Sequence, residues 1–123
     1  MLDCVIVGIG GFIGTICRYV IGLIPVKETT LFPIKTFLIN IFGAFIIGCI
    51  SAYIAKQTAD ARTVLFLKVG LCGGFTTFSS FALETADLIK SGNMKIALMY
   101  ALLSVAVGIM AVFFAEILTE KII

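Results

Sequence analysis

An all-α integral membrane protein, with four transmembrane helices and a break in the third, is the fold class this sequence predicts. Three observations predict it. The first is composition: 61% of the 123 residues are hydrophobic and only 13% charged, about half the charged share of an ordinary soluble domain. A mean hydropathy of +1.21 is more than one water-soluble core of this size could hide. The second is charge clustering. Residues 36–55 and residues 96–115 are uncharged runs of 20, the length a helix needs to cross the hydrocarbon core. The third is the stretch 73–81, Gly-Gly-Phe-Thr-Thr-Phe-Ser-Ser-Phe. Interrupted helix and hydroxyls are costly in lipid unless they line a cavity or bind something.

The expected spans are residues 4–24, 34–55, 63–89 and 95–118, in one membrane domain covering 1–123. The loops hold the punctuation: Pro25, Lys27 and Glu28, then Gln57 to Arg62, then Ser91-Gly92-Asn93. No basic region precedes the first apolar run, so a cleaved signal peptide is not expected. In the first span Gly10, Gly14, Arg18 and Gly22 share one face at i+4 spacing. In the second, Ala44, Gly48 and Ala52 do the same. Small residues so spaced let helices approach closely in lipid. Arg18 is costly in a membrane and needs a partner, an aqueous vestibule or a route to the interface. Asn40 brings an amide with two donors into the second span.

The third span carries the densest signal. Gly70, Gly73 and Gly74 are poor helix formers, and Thr76 and Thr77 bond locally to backbone. A break between Gly73 and Thr77 would leave carbonyls able to coordinate a cation, and a half-helix aiming N–H groups at an anion. The plainer alternative is a glycine packing face in an unbroken helix. Beyond the break Thr77, Ser80 and Glu84 form a polar stripe, with Phe78 and Phe81 beside it. Hydroxyl donors and positive ring edges without fixed charge suit a small, strongly hydrated anion. In the fourth span Tyr100 and Ser104 add two hydroxyls at i+4, although lone polar residues in membrane helices more often join helices.

Charge also bears on orientation. Lys56, Arg62, Lys68 and Lys121 fall on one side of a four-span layout; Lys27, Lys35, Lys90 and Lys95, with Arg18 a possible fifth, fall on the other. Orientation follows an excess of Lys and Arg on the cytoplasmic side. A balance this even lets the chain insert both ways and pair as an antiparallel, dual-topology dimer. The net charge of +2 carries no implication for nucleic acid. Without histidine, and with Cys4, Cys17, Cys49 and Cys72 scattered, a transition-metal site is not expected. Gly8, Gly10, Gly11 and Gly14 have the wrong spacing for a dinucleotide loop. No aspartate lies deep in a span to form a catalytic pair, so the chain is not expected to be an enzyme.

Across its whole length the chain resembles the Fluc (CrcB) fluoride channels of bacteria and other microbes. The resemblance rests on Gly10-Gly11-Phe12-Ile13-Gly14-Thr15-Ile16-Cys17-Arg18-Tyr19, on Asn40-Ile41-Phe42-Gly43-Ala44-Phe45, and above all on residues 70–81. It implies an antiparallel homodimer with two fluoride pores in the cell membrane. Phe78 and Phe81 would line the pores, with Asn40 close by and Ser79, Ser80, Tyr100 and Ser104 supplying hydroxyls. Backbone carbonyls of Gly73 and Thr76 from both subunits would hold a structural sodium ion. Arg18, Thr77 and Glu84 are assigned supporting roles. Three positions depart from the family pattern: Ser80 for threonine, Ala44 for serine, and Lys35 where glycine often stands. Lys35 could alter the electrostatics of a pore mouth. The rival reading is a small multidrug exporter coupled to protons. It wants a membrane-embedded carboxylate in the first span, where Arg18 has the wrong sign. A membrane scaffold explains the small-residue faces and leaves the Thr, Ser and Phe cluster unexplained.

Overall fold

A computed structural model describes residues 1–27 and 29–123; Glu28, expected in the first loop, lies outside the described residues. Helix α1 runs Leu2–Gly22, α2 Ile34–Lys56, α3 Ala61–Lys90 and α4 Met94–Ile122, each long and apolar enough to cross a membrane. The third is bent. Its first arm starts as a short α-turn (Ala61–Val64), widens into a π-helix (Leu65–Cys72) and ends in an α-turn (Gly73–Phe75); its second arm is Phe78–Lys90. Between them Thr76 (φ −84°, ψ 159°) and Thr77 (φ −148°, ψ 111°) are extended.

The glycines of the third span do not make this break. Gly73 is helical, at φ −63° and ψ −35°, and the bend falls after it, on the two threonines. Gly70 and Gly74 serve close packing instead. The first arm lies along α1, and a Cβ on Gly70 would sit 2.8 Å from the Val7 carbonyl oxygen and 2.9 Å from Gly10 Cα. A Cβ on Gly74 would collide with Gly11, and one on Gly14 with the Leu71 carbonyl. Glycine thus lets two backbones touch where any side chain would separate them. A glycine packing face and a helix break occur side by side, in different residues.

The second helix pair follows the same logic. Along the α2–α4 contact a Cβ on Gly48 would lie 2.7 Å from the Val112 carbonyl and 2.9 Å from Ala115, and Ala52 is buried. Gly10, Gly14, Gly48 and Ala52 are therefore spent on packing within the chain. Two lysines close helix ends from a neighbouring helix: Lys35 Nζ donates to the Gly22 carbonyl (3.1 Å) and Lys56 Nζ to the Glu120 carbonyl (2.6 Å). Each places a cation where the helix dipole is negative. Outside the spans, Asp60 caps the start of α3, accepting from the Arg62 and Thr63 backbone N–H groups and the Thr63 hydroxyl. Those bonds, first the one from the Thr63 side chain, hold its carboxyl below the usual aspartate range.

Candidate functional site

The break is built from hydrogen bonds a helix would otherwise make to itself. Asn40, in the second turn of α2, donates from Nδ2 to the Thr77 carbonyl (3.0 Å) and accepts the Thr77 N–H on Oδ1 (2.8 Å). One amide thus stands in for two backbone partners, satisfying groups whose orphaning in a buried setting costs about 1–3 kcal/mol each. Thr77 Oγ1 caps the second arm by accepting the Ser80 N–H at 3.1 Å; it also bonds Ser80 Oγ at 3.0 Å and Ser79 Oγ at 3.3 Å.

These substitutions release two carbonyls. In an unbroken helix the Thr77 N–H would go to Gly73 O and the Ser80 N–H to Thr76 O. Here the first is on Asn40 and the second on Thr77 Oγ1. The Gly73 carbonyl belongs to an exposed residue with open space beside its Cα. Neutral oxygens without hydrogen-bond donors suit a hard monovalent cation better than a transition metal.

Asn40, Thr77, Phe78, Phe81 and Ser104 face one groove of about 440 Å³ between α2, α4 and the break. It contains no charged side chain among its described residues. The Phe78 and Phe81 rings lie 5.6 Å apart, and Phe78 is 79% exposed. Ser104 Oγ is buried and has no hydrogen-bond partner among the described residues. A hydroxyl left unpaired in so apolar a lining calls for a polar visitor, water or anion.

Tyr100 and Ser104 share a helix face, but their hydroxyls serve different places. Tyr100 is fully buried, edge-on to Phe81 (5.0 Å) and Phe32 (5.3 Å), and it donates to Glu84 Oε2 at 2.8 Å. The other Glu84 oxygen accepts the Thr36 hydroxyl at 2.5 Å. Thr36 was not among the sequence candidates. Its only signal was a hydroxyl in the first turn of an otherwise apolar span. Ser79 is exposed, and its hydroxyl reaches Thr77. Arg18 is half-buried, with no ion-pair partner among the described residues, and lines a second cleft of about 410 Å³ with Thr77 and Ser80. The four cysteines are unpaired, with Cys4 and Cys17 exposed and Cys72 buried.

Known proteins match this chain over nearly all of it. A family model described as "CrcB-like protein, Camphor Resistance (CrcB)" covers residues 5–116. A protein of Azobacteroides pseudotrichonymphae genomovar. CFP2 named fluoride-specific ion channel FluC is 40% identical over 94% of this chain and 94% of its own length. Proteins of the same name from Ruminiclostridium cellulolyticum and Chlorobium phaeobacteroides are 39% and 43% identical. They cover 99% and 93% of this chain, and 95% and 92% of their own lengths.

Proposed function

This chain belongs to the CrcB family, and we propose that it is a passive fluoride-selective channel of the cell membrane, exporting cytoplasmic fluoride and so preventing its toxicity. The observation that carries this reading is the uncharged groove at the break. It offers hydroxyls from Thr77 and Ser104, the Asn40 amide and the rims of Phe78 and Phe81. Fluoride holds its water tightly. Donors and ring edges replace those contacts without the deep trap that a fixed positive charge would make.

The driving force needs no machinery of its own. Fluoride is the base of a weak acid; neutral HF crosses lipid from acidic surroundings and dissociates inside. A membrane potential negative inside then pushes the anion out through any selective pore. Transport is passive diffusion, with no bond made or broken, so the protein is a channel rather than an enzyme.

The working unit is an antiparallel homodimer with two pores. The charge balance supports it, as does the exposure of the large aromatics Phe12 (68%), Tyr19 (66%) and Phe78 (79%). A sodium ion on the dimer axis would be held by the Gly73 and Thr76 carbonyls of both copies. One protomer releases two such oxygens, and a second copy doubles the set. The ion would supply fixed positive charge that locks the two breaks together. Asn40, Phe78, Ser79, Ser80, Phe81, Tyr100 and Ser104 make up the pore site, Tyr100 as the buried backing of the Phe81 ring rather than as a hydroxyl in the groove, with Arg18, Thr77 and Glu84 supporting it.

Purified protein in liposomes, assayed for fluoride efflux beside a matched chloride experiment, tests the reading. Rapid fluoride release with negligible chloride release is expected. Fluoride release no faster than from protein-free liposomes would overturn it. The multidrug-exporter rival has no support in α1, whose one carboxylate, Asp3, is exposed and paired with Arg62 at 3.3 Å.

A further inference from the structure

The groove just described is uncharged, but the cleft behind the break is not. Its charged lining consists, among the described residues, of Arg18 and Lys35, both positive; Thr15, Thr36, Thr77 and Ser80 supply hydroxyls beside them. Thr77 and Ser80 are also the pair joined across the start of the second arm at 3.0 Å. The cleft therefore meets the uncharged groove at Thr77, which lines both.

Lys35 is out of place by helix rules. It lies in the first turn of α2, where the dipole is positive and acidic residues are favoured, and that turn contains no acid. Its side chain also lines a third cavity, of about 400 Å³, on the far side of Thr36. The one carboxylate lining that cavity among the described residues, Glu84, has its two oxygens on Thr36 and Tyr100. The Lys35 amine meets the carbonyl end of α1 at Gly22, which offsets only about half a unit charge. A net positive charge therefore remains, half-buried, at the rim of the cleft.

We propose that Lys35 is a second fixed cation of the channel mouth, which with Arg18 draws hydrated fluoride into the cleft leading to Thr77 and Ser80. Lys35 thereby sets the entry rate at low ionic strength while making no contact in the uncharged groove. The inference rests on the channel reading. A cleft lined by one sign of charge raises the local concentration of its counter-ion, and salt screens the effect within about 10 Å at 0.1 M. A role confined to holding the Gly22 carbonyl would leave no such salt signature.

The test is fluoride efflux from liposomes containing wild type, Lys35→Gln, Lys35→Gly or Lys35→Arg, at sub-saturating fluoride. Each is measured from about 10 mM to about 500 mM of an impermeant-anion salt, a range over which screening runs from weak to nearly complete. Wild type and Lys35→Arg are expected to slow together as salt rises. Lys35→Gln and Lys35→Gly are expected to be about threefold slower than wild type at low salt, a modest part of the tenfold or more that steering can supply, and to match it at high salt. Equal rates at all salt concentrations, or a deficit that persists undiminished at high salt, would overturn the proposal. Aggregation of both neutral variants beside a well-behaved Lys35→Arg would do the same, assigning Lys35 to the α1–α2 joint. A wild type that releases no fluoride would overturn the channel reading instead, and this inference with it.

Discussion

The two arms of α3 are held by opposite means. The first arm, up to Phe75, is fastened to α1 by the near-contact of two backbones, with Gly70 against Gly10, Gly74 against Gly11, and Leu71 filling the space beside Gly14. Side-chain chemistry hardly enters; its polar stitches to α1 are a 3.4 Å bond from the Thr15 hydroxyl to the Gly74 carbonyl and, at the exposed start of the arm, the 3.3 Å pair of Arg62 with Asp3. The second arm is held by directed bonds: Asn40 at the break, Ser80 on Thr77, and Glu84 between Thr36 and Tyr100. Shape fixes one arm and polarity the other. In lipid this is a sensible division, because apolar surface gives no hydrophobic drive between helices and only close packing or hydrogen bonds remain. The glycine arm acts as an anchor, so that the polar arm can present unpaired groups without the helix coming apart.

The most severe way to break this contrast is Gly14→Val. A branched side chain has nowhere to go between the Leu71 carbonyl and the Phe75 nitrogen, 2.8 Å from the added Cβ. Overpacking against backbone costs about 1–3 kcal/mol or more, so no monodisperse peak on size exclusion is expected. Gly8→Ala, with open space at its Cα, should elute as wild type does. Phe81→Ala, on the polar arm, is expected to fold yet release fluoride no faster than empty liposomes. Wild-type flux would remove Phe81 from the pore. Asn40→Asp keeps the acceptor for the Thr77 N–H and loses the donor to its carbonyl. Thermal unfolding in detergent should register about 1–3 kcal/mol, with flux reduced and the oligomer unchanged.

Two further substitutions sharpen the comparison. Tyr100→Phe removes one of the two bonds on Glu84 and is expected to cost about 1.5–3 kcal/mol, as for a bond to a charged group. A stability equal to wild type would mean that the ring packing against Phe32 and Phe81 holds this arm alone. Least of all, Asp60→Asn should flatten the acid limb of the stability profile. The folded-state pKa of Asp60 is depressed, so its stabilising share is present above the unfolded aspartate value and is lost as pH falls through the folded one. Unfolding midpoints of wild type and variant should therefore converge at low pH; a constant gap would remove Asp60 as the source.

Much of the site was readable because lipid makes polar residues conspicuous. Asn40, Thr77 and Ser104 stand out in apolar runs, and the structure brings Asn40 and Thr77 into direct contact and sets Ser104 in the same groove. Thr36 escaped notice because a hydroxyl near a span end is unremarkable until Glu84 is seen beside it. The π-helix over Leu65–Cys72 left no trace in the sequence. The break was expected between Gly73 and Thr77, and it lies at the far end of that stretch, on Thr76 and Thr77. Glycine weakens a helix without ending it when a neighbouring helix needs the space, whereas Thr77 has a bonding partner outside the helix, Asn40 of α2.

By itself, then, the sequence determined the solvent this protein is built for, the number of helices that could cross it, the presence of an interruption in the third, and the family to which it belongs. Those follow from composition, charge spacing and local motif, which need no knowledge of neighbours. Only the tertiary structure decided which glycines pack and which residues bend. It also decided that Asn40 closes both bonds of Thr77, that Tyr100 turns away from the groove while Ser104 stays in it, and that Lys35 and Arg18 share one cleft. Each depends on which surfaces meet across long stretches of chain, as Asn40 and Thr77 do across 37 residues. In a medium that penalises every unmatched polar group, that meeting decides which bonds are made and which groups are left free for an ion.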